Sequence, residues 1–322
     1  MTKARENSDY TGLAADLAGL QTNITAGDTA ARAGRKNWII NGGFDVWQRG
    51  TTGAQANSGF VADRWKGNNY TTGTFTFSQR TDATGQTFRT YGRLAQSSAG
   101  SNNSTQGIMQ FIEGLHLVGK TVTVSLKVRG NAALSGCKVR GIIAQQTFNL
   151  TTDWVKHSFT GTAIQDGSNT RLMFDWGLEN TTWHVDIAEV QVEVGSVATD
   201  FEHRSYGEIL ADCQRYYYQV GGSAMAYLCQ GDFYTANQFN PSIIFPVTMR
   251  AAPAFTQVSG ANYFVVYRAS NAVYKDDDWT FWKSSPNVAS IYGPMDGTST
   301  QGHSGRCLAV SASARLMFSA EL

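Results

Sequence analysis

Charged residues are scarce in this chain, and long apolar runs are missing. Only 16% of the 322 residues are charged, and the net charge at neutral pH is +1, whereas about 25% charged residues is usual for soluble domains. No basic cluster is long enough to indicate nucleic acid or an anionic membrane surface as a partner. No apolar stretch approaches the roughly 20 residues that a membrane-spanning helix needs. We therefore expect no nucleic-acid partner and no membrane insertion.

Secretion signals and disulfide patterns are also missing. The first residues, MTKARENSDYTG, contain no apolar core of a signal peptide. The four cysteines are far apart in sequence and form no C-x-x-C pair; they are Cys137, Cys213, Cys229 and Cys307. This spacing fits neither a zinc site nor a disulfide framework, so we predict buried free thiols. The protein is expected to fold in a reducing cytoplasm.

Sequence motifs for catalysis are absent as well. The chain contains no nucleophile elbow, phosphate-binding loop, H-E-x-x-H motif or dinucleotide-binding fingerprint. Glycan hydrolysis needs two carboxyl groups about 5–10 Å apart, and no spacing of Asp and Glu singles out such a pair. No internal repeat indicates a parallel β-helix. We expect a protein without enzymatic activity, with a glycan hydrolase as an alternative.

Prolines are missing from most of the chain and mark its C-terminal part. All five follow residue 240: Pro241, Pro246, Pro253, Pro286 and Pro294. Shortly before them, the two-residue alternation of residues 183–194 gives way to apolar positions three and four residues apart, as in a short amphipathic helix. We predict a first β domain over 37–203, a linking helix over 204–218 and a second, smaller β-sandwich domain over 219–322.

Short alternating segments fill the chain before this change. In residues 74–80 and 121–128, apolar and polar side chains alternate as they do in a half-buried strand. Runs rich in Gly, Asn and Ser separate such segments, for example residues 67–69 and 100–103. Many short strands without a long helix predict an all-β fold, namely an antiparallel β-sandwich of the jelly-roll type.

The N-terminal 36 residues contain five apolar side chains at alternating spacings of three and four. They are Tyr10, Leu13, Leu17, Leu20 and Ile24. This is the spacing of a heptad seam, although two glycines weaken a helix here by about 1 kcal/mol each relative to alanine. An isolated helix of this length is marginal in water. Residues 1–36 are interpreted either as a helical or extended attachment and trimerisation segment, or as a disordered tail with coincidental spacing.

Three motifs resemble a family of bacteriophage virion proteins. They are NWIINGGFDVWQRG with the following ADRW in residues 37–65, IEGLHLVGKTVTVSLKVRG in residues 112–130, and VQVEVGSVATDFEHRSYGEILADCQRYY in residues 190–217. The family comprises tail-fibre and related proteins whose jelly-roll domain is similar to carbohydrate-binding modules of the galactose-binding type.

The resemblance implies a structural protein of the virion. It implies a homotrimeric tail fibre or similar adhesin that attaches to the host cell surface through glycans or another receptor. Residues 1–36 would bind other virion proteins, and the chain would be made in the host cytoplasm. A capsid-attached fibre or decoration protein is the alternative.

Tryptophan and carboxylate side chains are the candidate glycan contacts. Aromatic residues make up 12% of the chain, which suits glycan contact but also simply an all-β fold. Sugar rings present C–H groups that pack on aromatic faces, while nearby carboxylates bind the hydroxyls. We predict that Trp279 and Trp282, near Asp277, are the more exposed pair. Trp154 and Trp176 are further candidates, although tryptophan in an alternating strand is more often part of the core.

Oxygen-bearing side chains form a candidate metal site. Jelly-roll modules of the kind that the chain resembles often hold a structural calcium beside the first strand, and Asn41, Asp45 and Asp186 occupy matching places. Oxygen ligands suit this hard cation. Asp186 lies between inward-facing Val185 and Ile187, so it is expected to face outward. The alternatives are a calcium site and a solvated strand carboxylate.

Overall fold

The chain forms two β-rich units in the computed structural model. The structure describes residues 35–54, 59–69, 74–98, 106–113, 115–165, 170–176, 182–268, 271–275 and 278–322. One unit ends at Ser205, and the other comprises Tyr206 to Leu322. The predicted attachment residues lie outside the described residues; they are Tyr10, Leu13, Leu17, Leu20 and Ile24.

The described part of the first unit contains two antiparallel sheets. Its strands are β1 (Thr52–Ala54), β2 (Lys66–Asn69), β3 (Thr74–Arg80), β4 (Tyr91–Ser98), β5 (Gln106–Ile112), β6 (Thr121–Gly130), β7 (Leu134–Gly141), β8 (Gln146–Leu150), β9 (Val155–Thr162), β10 (Thr170–Asp175) and β11 (Trp183–Val194). A short 3-10 helix lies at Leu115–Leu117. The larger sheet has the order β1-β3-β4-β11-β6-β9, and the smaller sheet has the order β2-β5-β10-β7-β8.

The chain of the first unit passes repeatedly from one of its two sheets to the other. After β4 the chain crosses to β5, returns to β6, crosses to β7 and β8, returns to β9, crosses to β10 and ends in β11. This connectivity between two facing antiparallel sheets is that of a jelly roll. Both sheets contribute to one hydrophobic core, whose large side chains include Phe44, Trp65, Phe77, Phe174 and Trp176. The predicted jelly-roll β-sandwich is confirmed.

A bulge in β11 changes which side chains face the core. The pairing of β11 with β6 shifts between Ala188 and Gln191, and Glu189 has a φ of 50°. Such an extra residue moves the alternation by one position. The inward side chains are therefore odd-numbered before the bulge and even-numbered after it: Val185 and Ile187, then Val190 and Val192.

The described part of the second unit contains one helix and two antiparallel sheets. Its elements are α1 (Tyr206–Gln214), β12 (Tyr217–Gly221), β13 (Tyr227–Thr235), β14 (Gln238–Ile244), β15 (Ala254–Val258), β16 (Phe264–Arg268), β17 (Asn271–Lys275), β18 (Thr280–Ser284), β19 (Val288–Pro294), β20 (Ser304–Ala309) and β21 (Arg315–Ser319). The sheet orders are β12-β21-β15 and β17-β16-β20-β13-β14-β19-β18. The two sheets share one core, to which Phe239 and Phe318 contribute. This unit is the predicted second, smaller β-sandwich.

Helix α1 is shorter than the linking helix predicted over 204–218. It ends at Gln214, and Tyr217 and Tyr218 pair with β21 in strand β12. Aromatic and β-branched residues favour strands, so the Tyr-Tyr-Gln-Val run forms a strand and does not continue the helix. Within the described ranges, no helix is long and apolar enough to cross a membrane.

The cysteines confirm the prediction of buried free thiols. All four are buried, and none forms a disulfide bond. Burial raises the pKa of the Cys137 thiol to about 12, so this thiol stays protonated and unreactive at neutral pH.

Candidate functional site

Two of the predicted aromatic contacts lie in hydrophobic cores. Trp176 is only 1% exposed and stacks with Phe174. Trp279 is 3% exposed, and its ring packs against Phe239 and Phe264. Neither ring has a face open to a ligand. The expected exposure of Trp279 is therefore wrong, because its side chain fills the core of the second unit.

Trp282 is the accessible member of the predicted pair and is 57% exposed. It lies in β18, an edge strand of the seven-stranded sheet. The pairing of β18 with β19 shifts between Phe281 and Lys283. A bulge of this kind can re-aim a side chain, and Trp282 is the residue at the shift. Asp277, the carboxylate predicted beside it, lies outside the described residues.

Phe281 and Lys283 flank Trp282 on the same edge strand. The Phe281 ring stacks on Phe255, with centroids 5.6 Å apart and an angle of 10° between the planes. The Lys283 ammonium lies 5.6 Å from the centroid of the Trp282 ring. Strand β18 therefore presents one anchored ring, one projecting ring and one cation, and we call these three side chains the β18 edge.

Trp154 is half-buried on the outer face of the larger sheet of the first unit. Its ring meets Phe88 and Tyr91 nearly at right angles, at centroid distances of 4.9 and 5.3 Å. The Arg129 guanidinium lies 4.9 Å from the Trp154 centroid. Phe88 and Tyr91 belong to a small cluster separate from the main core, so Trp154 is held on this face by its own aromatic support.

Asp186 lies on the same outer face, between two arginines on neighbouring strands. Arg93 in β4 and Arg129 in β6 are its direct cross-strand partners. Arg93 donates from Nε and Nη2 to the two carboxylate oxygens, at 2.6 and 2.9 Å. Arg129 donates from Nε to Asp186 Oδ2 at 2.9 Å. We call Arg93, Asp186 and Arg129 the arginine row.

The three predicted calcium ligands are already bound to protein groups, and Asp45 Oδ1 accepts a hydrogen bond from the Thr90 hydroxyl at 2.5 Å. Asp186 points to the outer face, as the alternation predicts, but it is fully buried because its two arginines cover it. A cation there would meet two guanidinium groups. Asn41 Oδ1 accepts the backbone N–H groups of Asp45 and Val46, so it braces its own turn. Within the described ranges, no group of three or more His, Cys, Asp and Glu side chains is placed to hold a metal ion.

Local pKa shifts show the electrostatic character of the outer face. Burial lowers the pKa of His184, and the guanidinium of Arg93 lowers it further. Burial raises the pKa of Tyr91, and its hydroxyl donates to Asp82 Oδ1 at 2.7 Å. The same hydrogen bond is the main cause of the lowered pKa of Asp82. Burial and the Tyr91–Asp82 hydrogen bond are thus the main causes of these shifts, and the positive charge of Arg93 adds to the shift of His184.

A second ion pair fixes a loop onto this face. Lys127 Nζ lies 3.0 Å from Glu189 Oε2 and donates to Thr87 Oγ1 at 2.8 Å. Thr87 in turn donates to Glu189 Oε1 at 3.0 Å, and the Lys127 ammonium lies 5.4 Å from the Phe88 centroid. The loop that carries Thr87 and Phe88 is thus tied to the bulge of β11.

The arginines that surround Trp154 and Asp186 are not among the site residues predicted from the sequence. In alternating strands, Arg93 precedes the inward-facing Leu94, and Arg129 follows the inward-facing Val128. That alternation identifies them as outward-facing. Their convergence on Asp186 depends on the strand order β4-β11-β6, which the sequence pattern does not contain.

No protein-family model matches the chain, and no curated protein matches it. Similar solved structures include a family 4 carbohydrate-binding module with 23% identity and a TM-score of 0.35, covering 49% of this chain and 100% of that chain. A tandem of two family 22 carbohydrate-binding modules from Paenibacillus barcinonensis has 10% identity and a TM-score of 0.32, covering 91% of this chain and 100% of that one.

A phage protein is also among the similar structures. The enzymatically active domain of tailspike protein 4 of bacteriophage CBA120 has 10% identity and a TM-score of 0.33, covering 49% of this chain and 21% of that chain. These identities and TM-scores are low, so the fold assignment rests on the strand order described above.

Proposed function

We propose that this protein is a non-enzymatic adhesin of a bacteriophage virion, a tail fibre or similar structure, that binds glycans on the host cell surface. The observation that carries the proposal is Trp282, which is 57% exposed at the bulge of an edge strand. Tryptophan is enriched among the residues that dominate binding energy at interfaces, and this ring is accessible to a partner. The three motifs that resemble phage fibre proteins support the virion context.

The β18 edge has the chemistry of a sugar-binding surface. The indole of Trp282 offers a flat apolar face to the C–H groups of a sugar ring, and Phe281 extends this apolar surface. The Lys283 ammonium carries three N–H donors for hydroxyl oxygens. The Lys283 ammonium lies 5.6 Å from the centroid of the Trp282 ring, so one short oligosaccharide can contact both side chains.

The proposed assembly is a homotrimer attached to other virion proteins through residues 1–36. The heptad spacing between Tyr10 and Ile24 supports this role, because in coiled coils such a seam packs against the seams of neighbouring helices. A capsid-attached fibre or decoration protein would use the same chemistry at another place on the virion.

Replacing Trp282 tests the proposed function directly. Purified full-length W282A is compared with the wild type on arrays of bacterial envelope polysaccharides and on whole bacterial cells. We expect at least about a tenfold loss of affinity for the W282A variant, as for a binding hot spot. Y234A is the matched control, since Tyr234 is 60% exposed in the same unit but lies in a different strand.

Three results would contradict the proposal. They are saturable binding that W282A leaves unchanged, no binding of the wild type to any glycan or cell, and release of reducing sugar from a bound polysaccharide. The last result would favour a glycan hydrolase. Light scattering on the same samples measures the mass and decides whether the protein is a trimer.

A further inference from the structure

The arginine row has an excess of positive charge. One carboxylate, Asp186, is shared by two guanidinium groups, so the row has a net charge of two minus one, or +1. Two neighbouring ion pairs, Arg80 with Asp82 and Lys127 with Glu189, add no net charge to this excess.

Both guanidinium groups keep hydrogen-bond donors for a ligand. Arg93 uses Nε and one N–H of Nη2 on Asp186, and Arg129 uses Nε, with a long 3.5 Å contact from Nη2 to the Tyr91 hydroxyl. Within the part of the chain that the structure describes, Nη1 of each arginine has no partner. The two side chains are 21% and 30% exposed. A planar guanidinium of this kind matches the oxygens of a carboxylate or sulfate group.

The shared carboxylate also fixes both arginines in place. Three hydrogen bonds of 2.6 to 2.9 Å join them to the fully buried Asp186. Long side chains normally lose rotamer entropy when they bind a ligand, and this loss opposes binding. In Arg93 and Arg129 folding has already restricted this freedom. The row is therefore a preorganised pair of anion-binding groups.

An aromatic ring stands next to the row. Val155 is the partner of Val128 in the pairing of β9 with β6, so Trp154 lies beside Arg129 on the outer face. Phe88 and Tyr91 support its ring, and the side chain remains partly exposed. A ligand whose anionic group meets the arginines would therefore also contact an indole. Sugars that carry an acidic group combine these two properties.

We propose that Arg93, Arg129 and Trp154 form a second binding site, which takes an acidic saccharide. The carboxylate or sulfate group of the sugar accepts hydrogen bonds from the outward N–H groups of the two arginines, and the sugar ring packs on Trp154. This site extends the proposed glycan binding, but it uses none of the residues of the β18 edge.

The test measures binding of the full-length protein to three polysaccharides. Alginate carries carboxylates, dextran sulfate carries sulfates, and dextran is neutral. We expect saturable binding to at least one acidic polymer and none to dextran. Binding should weaken as the salt concentration rises, because salt screens exposed charges. No binding to either acidic polymer at low salt would overturn the proposal.

Variants decide whether the arginine row is the site. R129Q removes a charge but keeps a side-chain donor for Asp186, and W154A leaves all three arginine–aspartate hydrogen bonds in place. Each is expected to weaken binding of the acidic polymer by about tenfold or more. K138Q is the control, since it removes one exposed charge from β7 in the other sheet of the same unit. Circular dichroism and thermal melting verify that each variant is folded.

Two outcomes would contradict the assignment. Equal binding by R129Q, W154A and wild type would show that the polymer binds elsewhere, and equal losses in K138Q and R129Q would show only general attraction to positive charge. The experiment is independent of Trp282, because it uses defined polymers and variants of the first unit. Failure of W282A to affect cell binding would therefore leave its result unchanged.

Discussion

The two units differ in where they place polar and charged side chains. Among the described residues, every buried polar or charged side chain lies in the first unit, between Asn41 and Glu193. The described core of the second unit consists of apolar, aromatic and cysteine side chains. A buried charge needs well-placed partners, since an unpaired one is costly. The first unit therefore depends on specific polar geometry, whereas the second depends on hydrophobic packing.

The accessible tryptophans show the same contrast. Trp154 lies on the face of a sheet, with Arg129, Phe88 and Tyr91 around it. Trp282 projects from an edge strand that has a neighbouring strand on one side only. A ring held on several sides is preorganised for one ligand geometry, whereas a projecting ring can adapt to several. We expect the first unit to be the more selective of the two for its ligand.

Removing the buried carboxylate of Asp186 should cause the largest loss of stability, and this loss should fall on the first unit. D186A leaves Arg93 and Arg129 facing each other without their shared partner, and loss of one member of a buried ion pair costs about 3–5 kcal/mol. The lower end is expected, because both arginines are partly exposed and water can solvate them. Urea unfolding, followed by a probe of the first unit, measures the change in the free energy of unfolding.

Two comparisons show whether the lost carboxylate is the cause. D186N keeps the shape and one acceptor oxygen, so it should be less destabilising than D186A. D232A removes an exposed carboxylate from β13 in the second unit and should change stability by less than about 0.5 kcal/mol. If D186A were as mild as D232A, the first unit would not depend on this ion pair.

Replacing either accessible tryptophan by alanine should cause a smaller loss of stability than D186A, and the two losses should differ. W154A removes two aromatic contacts and the neighbour of Arg129, so we expect a loss of about 1–3 kcal/mol, since each aromatic pair contributes about 0.5–1.5 kcal/mol. W282A removes an exposed ring and should cost less than about 0.5 kcal/mol. Thermal melting of both variants measures this, and equal losses would remove the distinction between a supported ring and a projecting ring.

The sequence predicted the fold because local alternation determines which face of each strand is buried. In β6, Val122, Val124 and Leu126 face the core and the residues between them face outward, as their spacing indicates. The bulge at Glu189 was not predictable in the same way. Its φ of 50° is unusual for a residue other than glycine, so no residue type marks the position.

The candidate site was harder to predict because it depends on pairing between distant segments. Arg93 and Asp186 are 93 residues apart, and Asp186 and Arg129 are 57 apart. Only the strand order brings them together. Trp279 and Trp282 were predicted as one exposed pair, but the first packs into the core and the second lies at a bulge. A three-residue spacing in a short segment does not distinguish these two positions.

Acidification should destabilise the first unit and leave the second nearly unchanged, which is the smallest effect we predict. Burial lowers the pKa of His157 and of His184, both in the first unit. Each imidazole is therefore more basic in the unfolded chain, which binds more protons than the folded state as the pH falls. This contribution to stability is complete above the unfolded pKa of about 6.5 and is lost as the pH falls through the lowered folded value. The lowered pKa of Asp82 adds a further loss in the same direction, below the usual carboxyl pKa of about 4.

Calorimetry between pH 7.5 and pH 5 can measure this difference, provided that the two units melt separately. The transition of the first unit should move to lower temperature by a few degrees, and that of the second should not move. H157Q and H184Q together remove the two imidazoles with a lowered pKa and should reduce the pH dependence of the first transition in this window. A first transition that stays constant in the wild type, or that moves equally in the double variant, would mean that these buried imidazoles do not couple folding to pH. The dependence of the first unit on polar geometry would then rest on its ion pairs alone.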